Sequence, residues 1–516
     1  MRWADEFWAL RCRYGERVGI IDHEGTHTIA AVMDRAAGIA DRLNGLGFGV
    51  GDFIATAFQN SALAAAASYA VSLIGAVDVP INPVLSQSDI EHALRLTGAK
   101  IILIDAASKP LPALSVPFEN VRQSQPRPLT LAGWPDIDQD APSRIVFTSG
   151  TTGPAKGAIH THHRRWIGTV LLRASLPFWP DSRNRVLLMT PFSHGSSLLT
   201  FAYLAQGASV HMLQAVDTDM ILPLLAQGEI TEMFAPPTVL AKISEAAALP
   251  VYVDLKPKIT TILTGTAPLT PLVYRKAVAC FGDIIRITYG KSEIFNPITI
   301  LDPLETAKAY AQEAAEGLCV GWAASGVRVE IRDEMGTALQ QGAVGEIHLR
   351  SEHMFAGYIT HEGWSMLEPD SFHETGDIGY IDENGRLFLV ARDSDMIKSG
   401  GYKISPNEVE FSLAPAIEGT ELVVLGYPSD YWGEIVTAVA QRPPQNWQAQ
   451  LQSRLSQMTP YKRPRLFAEI DEIPRNSIGK ISRAQLRHWL SQNFDLVEKP
   501  HPFFIPKRRL HSKEGQ

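Results

Sequence analysis

The sequence predicts an α/β protein built on doubly wound sheets, and three observations predict it. From Phe53 to Ile104, short apolar runs alternate with helical stretches, the pattern of buried parallel strands covered on both faces. The apolar run Ile145 to Phe147 feeds a loop of hydroxyls and glycines from Thr148 to Gly157, with the cation Lys156 near its end. At 516 residues, the chain is also too long for one core, so several subdomains are expected.

Taken in order, Met33, Ala36, Ile39, Ala40, Leu43 and Leu46 fall at helical spacing, and the run closes on Gly45 and Gly47. The cluster Gly45, Gly47, Gly49, Gly51 trails a helix and precedes a strand, the reverse of a dinucleotide-binding context, and reads as a turn. Phe53 to Phe58, Gly75 to Ile81 and Lys100 to Ile104 read as buried strands. No charge occurs between Asp52 and Asp78, but Gln59, Asn60 and Ser61 divide that run. Its second piece would reach only about 20 Å as a helix against a hydrocarbon core of about 30 Å, so strand, cap and buried helix are expected and no membrane span. Between 106 and 142 lie seven of the 34 prolines and few periodic patterns, a loop-rich approach to the phosphate loop.

Composition narrows the function. A hydrophobic content of 45% and a charged content of 20% describe an ordinary globular protein. The net charge of −8 argues against nucleic acid as a partner. Cys12, Cys280 and Cys319 are too far apart for a disulfide framework or a zinc spacing, and no signal peptide is apparent, so a cytoplasmic protein is expected.

The stretch from Thr148 to Gly157 is how a chain holds phosphate: glycines turn N–H groups inward, hydroxyls donate, and Lys156 supplies a point charge. It is not the G-x-x-x-x-G-K-S/T loop, because Ala155 precedes Lys156 and Gly157 follows it. His160, His162 and His163 lack a matching carboxylate or thiolate set and read as a helix start rather than a metal site. Thr190-Pro-Phe-Ser-His-Gly-Ser196 follows the apolar run Val186 to Met189, which puts His194 just past a strand end, where open α/β sheets bind ligands. Thr264-Gly-Thr-Ala-Pro-Leu269 and Ile287-Thr-Tyr-Gly-Lys-Ser-Glu293 end two further strand-and-loop units. Gly345 to Arg350 and Gly357-Tyr358 read as hairpin strands of a small β subdomain that Phe372-His-Glu-Thr-Gly-Asp377 closes. Beyond Ala391-Arg-Asp-Ser394, Glu421 to Gly426 and Leu466 to Ile470 read as strands, Trp447 to Met458 as a helix, and Pro474-Arg-Asn-Ser-Ile-Gly-Lys480 as a loop presenting a lysine. The tail from Lys499 to Gln516 has no periodicity and reads as a solvated end.

In this order the motifs resemble those of the adenylate-forming enzymes, the superfamily of acyl- and aryl-CoA synthetases, luciferases and peptide-synthetase adenylation domains, from about residue 30 to 485. The resemblance implies a large AMP-binding domain over 1–392 with a small β subdomain, then a small mobile α+β domain over 393–516 that turns about a hinge at Ser394. It implies an ATP and AMP site formed by Thr148, Ser149, Gly150, Thr151, Thr152, Gly153 and Lys156 on phosphate. Gly265, Thr266 and Ala267 would wall the adenine, Tyr289 and Gly290 would meet the base, and Ser292 the α-phosphate. Asp377 would accept from the ribose hydroxyls, with Arg392 on ribose and phosphate. Glu293 would hold Mg²⁺, a hard cation that prefers oxygen.

His194, Gly195, Thr264 and Lys291 would border the acyl group, Gly400 and Gly401 would wall the coenzyme A tunnel, and Lys480 would be the adenylation lysine, with His194 beside it in the catalytic set. Peptide-synthetase domains carry an aspartate where Ser193 and His194 stand, so the resemblance favours a carboxylic acid without an α-amine. Lys291 departs from the apolar or small residue usual there, and its ammonium has three open fates: solvent, phosphate or the acid pocket. The implied activity is a carboxylate–CoA ligase using ATP, Mg²⁺ and coenzyme A through an acyl adenylate. A carrier protein or an amine in place of CoA is the alternative, a non-catalytic nucleotide binder is the rival class, and monomer and homodimer both remain open. A serine hydrolase is excluded by the lack of any G-x-S-x-G.

Overall fold

The computed structural model describes residues 2–107, 111–148, 156–252, 257–295, 297–311, 317–417, 419–476, 480–497 and 502–507. Two large sheets carry the first part of the chain, and a third, smaller sheet carries the last.

The first sheet has eight strands, and its parallel centre consists of Phe53–Ala57, Val77–Pro80, Ile102–Ile104 and Pro142–Phe147. Helix Ile29–Gly45 starts at Thr28, whose side chain accepts from the Ala31 N–H, and the buried helix Ala62–Leu73 starts in the same way at Ser61. The uncharged run is therefore a core helix, and no helix among the described residues is long and apolar enough to cross a membrane.

The second sheet is a path of 13 strands. Its parallel part orders Ser209–Met212, Arg185–Leu188, Glu232–Phe234, Thr261–Gly265 and Ile285–Tyr289 side by side. Helices cover both faces, so nearly every inward side chain of these strands is lost from water and supplies the hydrophobic driving force.

Two sequence expectations change here. Gly357–Thr360 pairs not within the β subdomain but with Gly157–Thr161 of the first sheet, and hairpins with Gly363–Met366. Glycines permit both approaches: a Cβ at Gly357 would lie 2.3 Å from the Ser365 carbonyl of its hairpin partner, and one at Gly157 would lie 2.6 Å from the Ile359 side chain across the pairing with the first sheet. The expected small β subdomain is present: the strands Arg328–Arg332, Gly345–Arg350, His373–Ile381 and Leu387–Arg392 form one end of the 13-stranded path, joined to it through Leu318–Ala323. Among the described residues of the tail, Phe503–Pro506 also differs from a solvated end: it pairs with Phe494–Val497, because Phe504 packs on Tyr427 and Phe494.

The third sheet comprises Ile397–Ser399, Tyr402–Ile404, Leu422–Ser429, Gly433–Gln441 and Leu466–Ile470. Among the described residues it shares no strand pairing with the other two sheets. It is joined to them by side chains: Ser405 Oγ donates to the Val390 carbonyl at 2.6 Å, and Lys403 pairs with Glu334 at 2.5 Å.

Candidate active site

Four adjacent parallel strands deliver one wall of the site at their carboxyl ends, where the dipoles of an open sheet and its loops leave room for a ligand. After Arg185–Leu188 the chain makes one wide helical turn, Phe192–Ser196, and His194 departs from helical geometry within it (φ −123°, ψ −138°). Glu232–Phe234 ends in Phe234, whose ring faces Gly195: a Cβ there would lie 3.6 Å from it. Thr261–Gly265 runs into Thr266, a β-branched residue at φ +71°. Ile285–Tyr289 ends in Tyr289 and is followed by Gly290, Lys291, Ser292 and Glu293.

The opposite wall comes from His373–Ile381 and Leu387–Arg392, which pair so that Asp377 stands opposite Arg392. Tyr289 donates its hydroxyl to Asp377 Oδ2 at 2.5 Å, and Arg392 Nε lies 3.4 Å from Oδ1. Burial and the Asp377 charge push the Tyr289 phenol well up, so it stays a donor. Lys291 donates to the Thr375 carbonyl and lies 3.5 Å from Asp377 Oδ2. Its ammonium therefore takes a fourth course, toward the Asp377 carboxylate rather than into solvent.

The first sheet brings the phosphate loop. Thr148 and Lys156 close the hairpin of Pro142–Phe147 and Gly157–Thr161, with the Thr148 N–H donating to the Lys156 carbonyl at 2.9 Å. Lys156 Nζ stands 5.7 Å from the ring centre of Tyr358, and the Tyr358 hydroxyl donates to Glu293 Oε1 at 2.7 Å. Ser149, Gly150, Thr151, Thr152 and Gly153 lie outside the described residues. Glu293 is 6% exposed, a hard oxygen donor held at one oxygen, so the residues present fit a Mg²⁺ ligand.

Beyond the last strand of the third sheet, Leu466–Ile470, comes Lys480. An isolated bridge between Arg475 and Ile481 closes a loop in which the Lys480 N–H donates to Asn476 Oδ1 at 2.9 Å. Its ammonium is pushed down to about 8, first by burial, then by Arg392, with Asp377 opposing and Lys291 and Glu293 adding smaller effects of opposite sign. His194 is likewise pushed down, to about 4, by burial first, then by Arg144 and Lys480, and is neutral near pH 7.

The structure thus joins Tyr289, Lys291 and Arg392 at Asp377, and brings Lys156 and Glu293 to either side of Tyr358. Thr264 is fully buried, and its hydroxyl has no partner. Gly400 and Gly401 form the exposed turn between Ile397–Ser399 and Tyr402–Ile404, and Ser394 is exposed in the single turn Asp393–Asp395.

Sequence reasoning missed two supports. Tyr358, a partner of Glu293, was read only as a strand residue. His160 is fully buried, pushed down to about 3 by burial, and its Nε2 donates to the Ser292 carbonyl at 2.8 Å, fixing the loop that carries Ser292 and Glu293. His162 accepts from Trp3 Nε1 at 2.7 Å. Both histidines are structural partners, and their spacing in sequence showed only that they sit near a helix start.

Residues 8–359 match the family model described as AMP-binding enzyme. The chain belongs to the AMP-binding enzyme family. It is 28% identical over 499 residues to the long-chain-fatty-acid–CoA ligase FadD13 of Mycobacterium tuberculosis, covering 90% of this chain and 93% of that one. It is 26% identical over 466 residues to a 2-succinylbenzoate–CoA ligase of Listeria monocytogenes, covering 89% and 94%. The ATP-bound structure of MatB from Rhodopseudomonas palustris superposes with a TM-score of 0.79 at 25% identity, covering 95% of this chain and 99% of that one. This member of the AMP-binding enzymes is an acid–thiol ligase of the AMP-forming acyl-CoA synthetase type, and such enzymes use ATP, Mg²⁺ and coenzyme A on carboxylic acids.

Proposed function

We propose that the protein ligates a carboxylic acid without an α-amine to coenzyme A in two half-reactions, an acyl adenylate and pyrophosphate forming in the first. The observation that carries this reading is the Asp377 carboxylate flanked by Tyr289, Lys291 and Arg392, a cluster whose charges also act on the Lys480 ammonium. A cation there steadies the carboxylate and the α-phosphate as negative charge gathers in the transition state. Lys156 stands where the leaving pyrophosphate develops charge, Asp377 takes the ribose and Glu293 holds the metal. Bound Mg²⁺ supplies positive charge to the phosphate oxygens.

His194 supports the substrate class, since a neutral imidazole beside Ser193 offers no counter-charge to an α-ammonium. In the second half-reaction the domain over 393–516 turns about Ser394, withdraws Lys480 and brings Gly400 and Gly401 to the thiol. The present arrangement is the one suited to adenylation. A cytoplasmic setting fits three cysteines that all remain unpaired. Pyrophosphate exchange across aliphatic, aromatic and dicarboxylic acids, followed by CoA consumption on the best acid, tests the proposal. AMP release with free CoA as the sole acceptor is the expected result, and exchange without CoA consumption would shift the acceptor to a carrier protein or an amine.

A further inference from the structure

We propose that the buried pair Asp78 and Arg144 is a positioning device for the acid-binding turn, acting through Ser197 on the carbonyl of His194. The two residues face each other across the parallel strands Val77–Pro80 and Pro142–Phe147 and are 0% and 1% exposed. Asp78 Oδ1 accepts from Thr56 Oγ1 at 2.8 Å, and Oδ2 accepts from Ser68 Oγ at 2.6 Å and from Arg144 Nη1 at 2.8 Å. Arg144 Nη2 then donates to Ser197 Oγ at 2.8 Å, and Ser197 Oγ donates to the His194 carbonyl at 2.8 Å.

The direction of this chain is forced. A guanidinium only donates, so the Ser197 oxygen is committed as its acceptor and the single hydroxyl proton points at His194. Ser197 also gives its backbone N–H to the same carbonyl. The link therefore crosses from the first sheet to the turn of the second and holds the one residue of Phe192–Ser196 that lies outside helical geometry.

Stability alone does not account for the arrangement. A buried ion pair is commonly no better than an apolar pair of equal volume, because desolvation offsets the Coulomb gain. A second buried arginine, Arg165 at 3% exposed, lies beside the pair and donates to Ser72 at 2.7 Å, adding a further buried cation. What the pair does that an apolar pair would not is orient Ser197.

The inference rests on His194 bordering the acid, and Ser197→Ala tests it while leaving the ion pair in place. KM for the acid and KM for ATP are measured separately by pyrophosphate exchange for wild type, Ser197→Ala and His194→Ala. Loss of one neutral hydrogen bond predicts an acid KM raised about three- to tenfold in Ser197→Ala, with KM for ATP within about twofold of wild type. An unchanged acid KM in Ser197→Ala, beside a raised one in His194→Ala, overturns the positioning role alone. An unchanged acid KM in His194→Ala overturns the pocket assignment beneath it. Equal rises in both KM values for Ser197→Ala reduce the link to general structural support and overturn the inference as well.

Discussion

Tyr358 donates its hydroxyl to Glu293 at 2.7 Å across 65 residues of chain, so the carboxylate assigned to the metal is oriented by a strand of the other sheet. Partners of this kind are worth about 10- to 100-fold in metal affinity. Tyr358→Phe keeps the ring beside Lys156 and removes only the hydrogen bond. The Mg²⁺ concentration for half-maximal pyrophosphate exchange should rise about tenfold or more, and an unchanged Mg²⁺ titration would show that Tyr358 only packs.

Lys480→Ala should lower adenylation by about 10² to 10³, the range for removing one group aimed at transition-state charge. Thioester formation from a supplied acyl adenylate should survive. The depressed ammonium adds a pH test. A lysine that loses its proton near pH 8 is charged below that value and neutral above it, so kcat/KM for the adenylation step should fall as pH rises through about 8. A flat profile from pH 7 to 9 contradicts the role assigned to the charge.

Asp377 has about four lone-pair positions, and Tyr289, Lys291 and Arg392 already approach it. Two ribose hydroxyls bring the total to five, so one partner must leave, and Lys291 at 3.5 Å is the most distant of the three. Its released ammonium then serves the nucleotide. Lys291→Met should raise KM for ATP for every acid alike. A loss confined to acids with a polar tail would instead return Lys291 to the acid pocket.

Thr266 holds φ +71° with a β-branched side chain, a conformation that costs about 1–2 kcal/mol for residues other than glycine. Thr266→Gly should stabilise the fold by up to ~1 kcal/mol, read as a raised melting temperature, after the glycine's greater unfolded-state freedom is set against the relief. A lowered melting temperature would mean that the Thr266 side chain makes contacts worth more than its strain.

Gly401 has φ +86° and nothing within 4 Å of the position a Cβ would take. Gly401→Asn tolerates that backbone and adds bulk only where the tunnel would form after rotation. Pyrophosphate exchange should stay near wild type while CoA consumption drops. Loss of exchange with thioester transfer retained would sink the tunnel assignment.

By itself the sequence determined the local settings of the candidate residues. Tyr289 ends a strand, Glu293 follows it in a loop, Asp377 lies in a strand, and Lys156 and Lys480 stand on loops, as the strand-and-loop signatures predict. The buried helix Ala62–Leu73 was likewise legible, because its cap at Ser61 and its length are local properties. Only the tertiary structure decided who supports whom. Tyr358 on Glu293, Lys291 on Asp377, His160 on Ser292 and Arg144 on Ser197 join residues 65, 86, 132 and 53 positions apart. Such pairs depend on which strands become neighbours and in what register, and a one-residue slip turns each side chain to the opposite face. The same holds for Gly357–Thr360, whose strand character is local but whose sheet is chosen by where a glycine permits close approach, and for Phe503–Pro506, which becomes a strand only because a partner strand and two aromatic rings are there to receive it.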